Sequence, residues 1–250
     1  MHGPKAHPLG CHRRRIPNRD VLSALFFVLR TGCQWKALDV KSLRKGSTAH
    51  SRFQHWVQAG VLARLWDEAL GDYDDLIGLN FSWLAQPWTA RCTKRRWMGK
   101  KTGPNATDRA KGGVKRSLLT KARGIPVDLV LDGANRHDVK LVDSILTSLP
   151  PAAEAARDAH RAAGGEQGLC LDAGYDSKQV RETLIALGYT AHIRPRGEEV
   201  QAKKAGQKAR RWVVERTHSW LNCFRHLLIR WAKKPENYLA MLHFACARIT

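Results

Sequence analysis

Residues 168–193, GLCLDAGYDSKQVRETLIALGYTAHI, decide the fold class. Gly168–Leu171 is a short apolar run that reads as a buried strand, and it ends at Asp172. Ser177 is a natural N-cap for a helix over Lys178–Leu187, which Gly188 stops. Tyr189–Ile193 then reads as a second strand. Upstream, Ser117–Thr120 and Ile125–Leu131 form a predicted hairpin around the turn Lys121-Ala122-Arg123-Gly124. Asp138 can cap a helix running to Leu149, and Pro150–Gly165 is an Ala-rich, partly helical connector. A hairpin, helix, strand, helix, strand, helix order predicts an α/β fold with a mixed sheet flanked by helices.

The first 78 residues have another texture. A helix is expected over Val21–Arg30 with Gly32 as its stop, another from Ser47-Thr48 through Val57, and a third over Val61–Leu70 after Gly60. Two helices around a glycine turn have the outline of a helix-turn-helix, an outline that purely structural helix pairs share. The acidic stretch Gly71–Gly78 reads as a hinge, dividing the chain into a helical region, 1–78, and an α/β region, 79–250.

The net charge narrows the partners. A formal charge of +21 with pI ≈ 10.3 repels itself in a compact chain and is usually retained for a polyanion, with nucleic acid the first candidate. A membrane surface is disfavoured, because the longest apolar run, Val21–Leu29, is far too short to span a bilayer. Residues 1–19 are polar and basic, unlike a signal peptide. The 6 Cys are scattered without a CxxC pair and the 11 His are dispersed, which favours reduced thiols over a disulfide frame or a zinc site. A cytoplasmic protein is expected.

Ala205–Lys234 concentrates that charge. Read as one long helix, it places Val213, Thr217, Trp220, Phe224, Leu228 and Trp231 on an apolar stripe. Arg211, Glu215, His218, Asn222, Arg225 and His226 fall on the other side. Glu215 is the single acid of this segment. It suits a metal ligand held beside a phosphate backbone, or equally a surface partner of Arg211 one turn earlier. Asp172 has two readings as well: a reactive carboxylate at the end of a strand, where sheets present such groups, or a turn-former before glycine. Two carboxylates on facing elements can share Mg²⁺ for phosphodiester displacement, although a two-metal site normally needs a third to bridge the ions.

Several motifs in order resemble the bacterial insertion-sequence transposases of the DDE class. They are Leu29-Arg30-Thr31-Gly32-Cys33-Gln34-Trp35, Thr102-Gly103-Pro104-Asn105 with Thr107-Asp108-Arg109, and Gly133-Ala134-Asn135-Arg136-His137-Asp138. They continue as Leu171-Asp172-Ala173-Gly174-Tyr175-Asp176, Arg210-Arg211-Trp212-Val213-Val214-Glu215-Arg216-Thr217 and Ser219-Trp220-Leu221-Asn222. The resemblance implies an RNase H-like catalytic domain behind a helical N-terminal region. It also implies strand cleavage and transfer at element ends and target DNA, two Mg²⁺ or Mn²⁺ ions, and a homodimer or higher oligomer on DNA in the bacterial nucleoid. By that resemblance Asp172 and Glu215 are the second and third metal-binding, catalytic carboxylates, and Arg211 matches the arginine of the same helix. Upstream helix is also implied before His7-Pro8-Leu9-Gly10.

Where the family carries its first aspartate, this chain has Thr89, and no acid occurs between Asp75 and Asp108. The surrounding stretch is rich in Trp, Arg and Cys, with Pro87 in what should be a central strand and no period-2 pattern. Pro87-Trp88-Thr89-Ala90-Arg91 can be encoded by CCT TGG ACG GCG CGA, which read two bases on gives Leu-Asp-Gly-Ala, the expected tetrad. Residues from about Gln86 to Lys100 therefore read as translated out of frame. From Arg91 to Arg123 there are twelve Lys and Arg against one acid. Arg109, Lys111, Lys115 and Arg116, with Arg211, Arg216 and Arg225, are the candidate DNA contacts. Trp212, Trp220 and Trp231 are expected to pack, while His137 either faces the metal site or caps its loop. The sequence thus supports a metal-dependent DNA transposase or, given Thr89, a copy that only binds DNA.

Overall fold

The computed structural model describes residues 16–41, 45–85, 91–95, 99–105, 108–193 and 212–250. Helix α1 (Asn18–Thr31) buries Val21, Ala24, Leu25, Val28 and Leu29, one face at three- and four-residue spacing. It ends where Gly32 takes φ 69 and its N–H returns to the Val28 carbonyl at 2.8 Å. A short α2 (Ala37–Val40) precedes α3 (Gly46–Gln58), and Gly60 at φ 66 turns the chain into α4 (Val61–Ile77). The expected hinge over 71–78 is a correction: α4 runs through it. Leu70 and Tyr73 continue the buried face begun by Leu62 and Trp66, so the apolar period outlasts the acidic surface. Gly78, at φ 86, is the stop.

The sheet is built from β1 (Trp83–Ala85), β2 (Arg91–Arg95), β3 (Gly103–Pro104), β4 (Gly112–Lys121), β5 (Pro126–Gly133), β6 (Gly168–Leu171), β7 (Thr190–Ile193) and β8 (Ile229–Arg230). β4 and β5 are the expected hairpin, longer than its apolar cores suggested, with Gly124 at φ 85 in the turn. β1 pairs antiparallel with β4 and parallel with β6, and β6 pairs parallel with β7. The order β7–β6–β1–β4–β5, antiparallel on one side and parallel on the other, is the RNase H-like mixed sheet. Helices α5 (Val139–Thr147), α6 (Pro151–Ala162) and α7 (Lys178–Ala186) form the connections, and α7 starts as expected, with Ser177 Oγ accepting the Val180 N–H at 3.3 Å.

β4 carries β1 and β2 along one edge, but not in one register. Ala85 faces Thr120 and Arg91 faces Arg116, so two more residues lie between those pairs on the β1–β2 side than on β4. Thr89 belongs to this interval and lies outside the described residues.

The single helix expected over 205–234 is also corrected. Its first residues lie outside the described set; α8 covers Trp212–Asn222. The chain then makes a 3₁₀ turn over Arg225–Leu227, enters β8 and begins α9 (Pro235–Ile249). Leu227 and Arg230, rather than Leu228 and Trp231, turn inward; the last two are 46% and 48% exposed. The turn is held from outside by α1, since Gly32 lies so close that a Cβ there would be 3.2 Å from the Arg225 backbone. One continuous apolar core runs from Val21 through the sheet to Cys246, and α9 packs along α4, joining the helical region to the sheet.

Candidate active site

Asp172 follows the last residue of β6 and is 8% exposed. Its carbonyl accepts the Tyr175 N–H at 2.9 Å, closing the 3₁₀ turn Ala173–Tyr175. That turn buries the Tyr175 phenol where the charges of two acids reach it. Burial raises the phenol's pKa most, and the negative charges of Asp138 and then Asp172 add to it. Asp138 begins α5 without capping it by its side chain, against expectation. Its carboxylate meets Lys115 Nζ at 3.1 Å, and the same ammonium donates to the Arg136 carbonyl at 2.6 Å. Cys92 completes this corner: burial raises its thiol pKa, Lys115 and Arg116 pull it back, and Asp138 adds to the rise.

Glu215 stands exposed in the first turn of α8. Two hydrogen bonds fix the helix against the turn after β4, and a stacked pair within the helix accompanies them. Thr217 Oγ1 donates to the Gly124 carbonyl at 2.5 Å, Arg216 donates to the Arg123 carbonyl, and the Arg216 guanidinium lies 5.0 Å above the Trp220 ring. Val213, Val214, Thr217, His218 and Leu221 form the buried face, so His218 moves from the expected solvent side to the interior. β1 lies between β6, which ends at Asp172, and β4, on which α8 rests. Asp172 thus lies at the end of the strand beside β1, and Glu215 on a helix packed on β4, which pairs with the other edge of β1.

The candidate DNA contacts divide by burial. Arg109 sits exposed in a turn at φ 49, Lys111 is exposed at 4.0 Å from Asp108, and Arg225 is exposed in the 3₁₀ turn. Lys115 and Arg116 are interior, at 7% and 1% exposure; Arg116 Nη2 reaches Asn222 Oδ1 at 3.5 Å. Arg211 lies outside the described residues. His137 is exposed and its Nδ1 accepts the Val139 N–H at 3.4 Å, which closes its own loop. Two sequence motifs meet here: a Cβ at Gly103 would fall 1.7 Å from Asn135 Oδ1. The Lys115–Asp138 pair and Tyr175 were not singled out by sequence reasoning; the only signal was two adjacent charges inside an otherwise β-forming run.

A curated relative, "Putative transposase for insertion sequence element IS402" of Burkholderia cepacia, is 37% identical over 160 residues, 62% of this chain and 71% of that protein. The chain belongs to the bacterial insertion-sequence transposases of the DDE class. Two family models agree: "Putative transposase of IS4/5 family" matches residues 1–66 of this transposase, and "Transposase DDE domain" matches 169–250. Two solved structures align with low scores. A pre-cleavage Mos1 transpososome gives 7% identity and TM-score 0.31, covering 87% of this chain and 80% of that one. A Mos1 transposase paired-end complex with left transposon end gives 8% and 0.28, covering 86% and 79%. Those scores are too low to bear on the fold, which rests on strand order.

Membership of the DDE class implies a divalent metal. The described residues do not by themselves fit one: no three His, Cys, Asp or Glu side chains among them gather around a common point. Asp138, which neighbours the same phenol as Asp172, is engaged by Lys115. No described helix is long and apolar enough to cross a membrane.

Proposed function

We propose that this transposase binds the ends of its insertion sequence and target DNA, and that the present copy does not cut them. Family membership supports the activity class, metal-dependent strand cleavage and transfer, with Mg²⁺ or Mn²⁺ as the ion. The observation that carries the second half is Thr89. By the family resemblance it stands in place of the first of three carboxylates, and a neutral threonine cannot bridge two cations. With two carboxylates where three are needed, no chemical step follows from the residues present. The break in register between β1 and β2 supports the same reading, because pairing shifts across the interval that holds Thr89.

In this reading residues 1–78 are the helical recognition region and 79–250 the catalytic domain. Arg109, Lys111, Arg216 and Arg225, with Arg211, contact phosphates. Assembly on DNA as a dimer or higher oligomer, and association with the nucleoid, follow from the same proposal. The out-of-frame origin of residues 86–100 is its genetic counterpart: resequencing codons 80–105 should show an intact Leu-Asp-Gly-Ala frame with compensating shifts.

The direct test is an end-labelled duplex carrying the element's terminus, incubated with purified protein and Mg²⁺ or Mn²⁺. Retarded, salt-sensitive complexes without nicked product are expected. Cleavage that disappears in Glu215→Gln would overturn the proposal of inactivity and leave the family reading standing.

A further inference from the structure

The chain after α8 leaves an apolar edge uncovered. Among the described residues β8 is the last strand on its side of the sheet, and its side chains alternate. Arg230 is buried, while Ile229 and Trp231 turn outward with Leu228 beside them. Three large apolar groups thus occupy four successive positions on an outer edge. Single exposed apolar residues are ordinary, but a contiguous group on a strand edge marks a contact surface. The rim of this edge is cationic. Arg225 stands exposed in the 3₁₀ turn before it, and Lys94, 3.6 Å from Asp108, is in register with Ile229 on β2.

The end of α4 has the opposite character. From Leu65 to Ala90 the sequence carries five acids and no Lys or Arg, in a chain whose net charge is +21. Asp72, Asp75 and Leu76 are three and four residues apart on α4 and share one face. Both carboxylates are exposed, and neither takes part in an ion pair among the described residues. Leu76 is 83% exposed, and Ile77 beside it is exposed as well. Asp75 lies in the last turn, where the helix dipole favours a cation and disfavours a carboxylate. Asp74 differs, since its carboxylate accepts the Leu79 N–H.

The two patches lie apart on one chain. α9 starts beside the end of α3, where Pro235 and Gln58 line one groove, and α4 starts three residues after Gln58. β8 leads into α9, so the apolar edge sits towards the start of α4, whereas Asp75 is about 20 Å farther along that helix. Two copies of the edge face to face would bring like charges together, and so would two copies of the acidic face. We propose that the acidic end of α4 in one copy docks on the β8 edge of a second copy of this chain. Leu76 and Ile77 then cover Leu228, Ile229 and Trp231, and Asp72 and Asp75 meet Arg225. Charge complementarity selects this pairing over either like-with-like contact. Because the two surfaces differ, the contact is head-to-tail and repeats into a chain or a ring. It needs no DNA, and so goes beyond the assembly on DNA proposed above. Five apolar side chains make a small interface, so the association is weak and concentration-dependent.

Sedimentation velocity of the nuclease-treated full chain, without DNA and at rising concentration, tests this. The wild type should sediment above the 28.1 kDa of one chain as concentration rises, and added salt should shift it back towards that mass. Leu76→Asp and Trp231→Asp each break one face and should weaken association about tenfold or more. Leu76→Asp should unfold at the wild-type temperature, because that side chain already stands in water. Arg225→Glu breaks the same face as Trp231→Asp without touching a half-buried ring, and should act alike. An equimolar mixture of Leu76→Asp and Arg225→Glu should form a dimer and go no further, because each variant keeps the face that the other has lost. A wild type that stays a single chain at every concentration in low salt overturns the proposal. So does a mixture that stays monomeric, or a Leu76→Asp variant that associates like the wild type, since either means that these two faces do not meet.

Discussion

Lys115 carries a charge in the middle of the sheet, at 7% exposure, and can do so only because Asp138 and the Arg136 carbonyl receive it. Taking an ammonium out of water costs several kcal/mol, which a 3.1 Å carboxylate and a 2.6 Å carbonyl bond largely offset. The pair fixes the start of α5 on β4, and the Asp138 charge is close enough to act on the same phenol as Asp172. Lys115→Met should strand Asp138 and destabilise the protein by about 2–4 kcal/mol, and Asp138→Asn should do the same to Lys115. Lys115→Met/Asp138→Asn should cost less than the two single changes added together, because the second change removes the group that the first left unpaired. Urea unfolding of the four proteins measures this; simple additivity would show that the two charges are independent.

At the scale of elements, α8 depends on a few buried polar contacts. Thr217 is fully buried and its hydroxyl is shared between the Gly124 carbonyl, in the β4–β5 turn, and the Val213 carbonyl one turn back. Thr217→Val keeps the shape but leaves the Gly124 carbonyl without that donor, and should cost roughly 1–2 kcal/mol. Denaturant unfolding with an unchanged m-value checks it, and a neutral effect would mean that α8 does not need the bond. Elements bounded by local chemistry were legible in the sequence. Gly32 stops α1, Ser177 caps α7, and the apolar runs around Lys121–Gly124 make the hairpin. The end of α8 was not legible, because Phe224, Leu228 and Trp231 keep a helical period that the chain does not use. A long-range contact of the 225 turn with Gly32 and the pull of Arg230 into the interior decide there instead. Asp172 and Glu215 were singled out by motif order alone. β6, which Asp172 follows, pairs with β1, and α8 packs on β4, but neither spacing nor period discloses that Lys115 and Arg116 point inward, because charge in a strand usually means an exposed face.

The core of the described residues holds Asp128, the half-buried His243 lies beside it, and the two groups respond to pH in opposite directions. Burial pushes the Asp128 carboxyl up to about 7, a rise that the Ser148 hydroxyl at 2.5 Å and the Leu129 backbone only moderate. Between the unfolded value near 4 and about 7 the native state holds more protons at this site, so its contribution to stability falls as pH rises, by at most about 4 kcal/mol. His243, with its ring 5.4 Å from Trp66 where α9 meets α4, is pulled down to about 4 by burial. Between its unfolded value near 6.5 and about 4 the unfolded state holds more protons, so this contribution is lost as pH falls. The two slopes oppose each other across the mildly acidic range and flatten the profile of the wild type. Asp128→Asn should therefore gain on the wild type as pH rises from 5 to 8, and His243→Gln should gain as pH falls from 7 to 4.5. Thermal unfolding across that range measures both. If the Asp128→Asn curve runs parallel to the wild type throughout, the carboxyl titrates alike in the folded and unfolded chain, and the junction of sheet and helices draws its pH response from elsewhere.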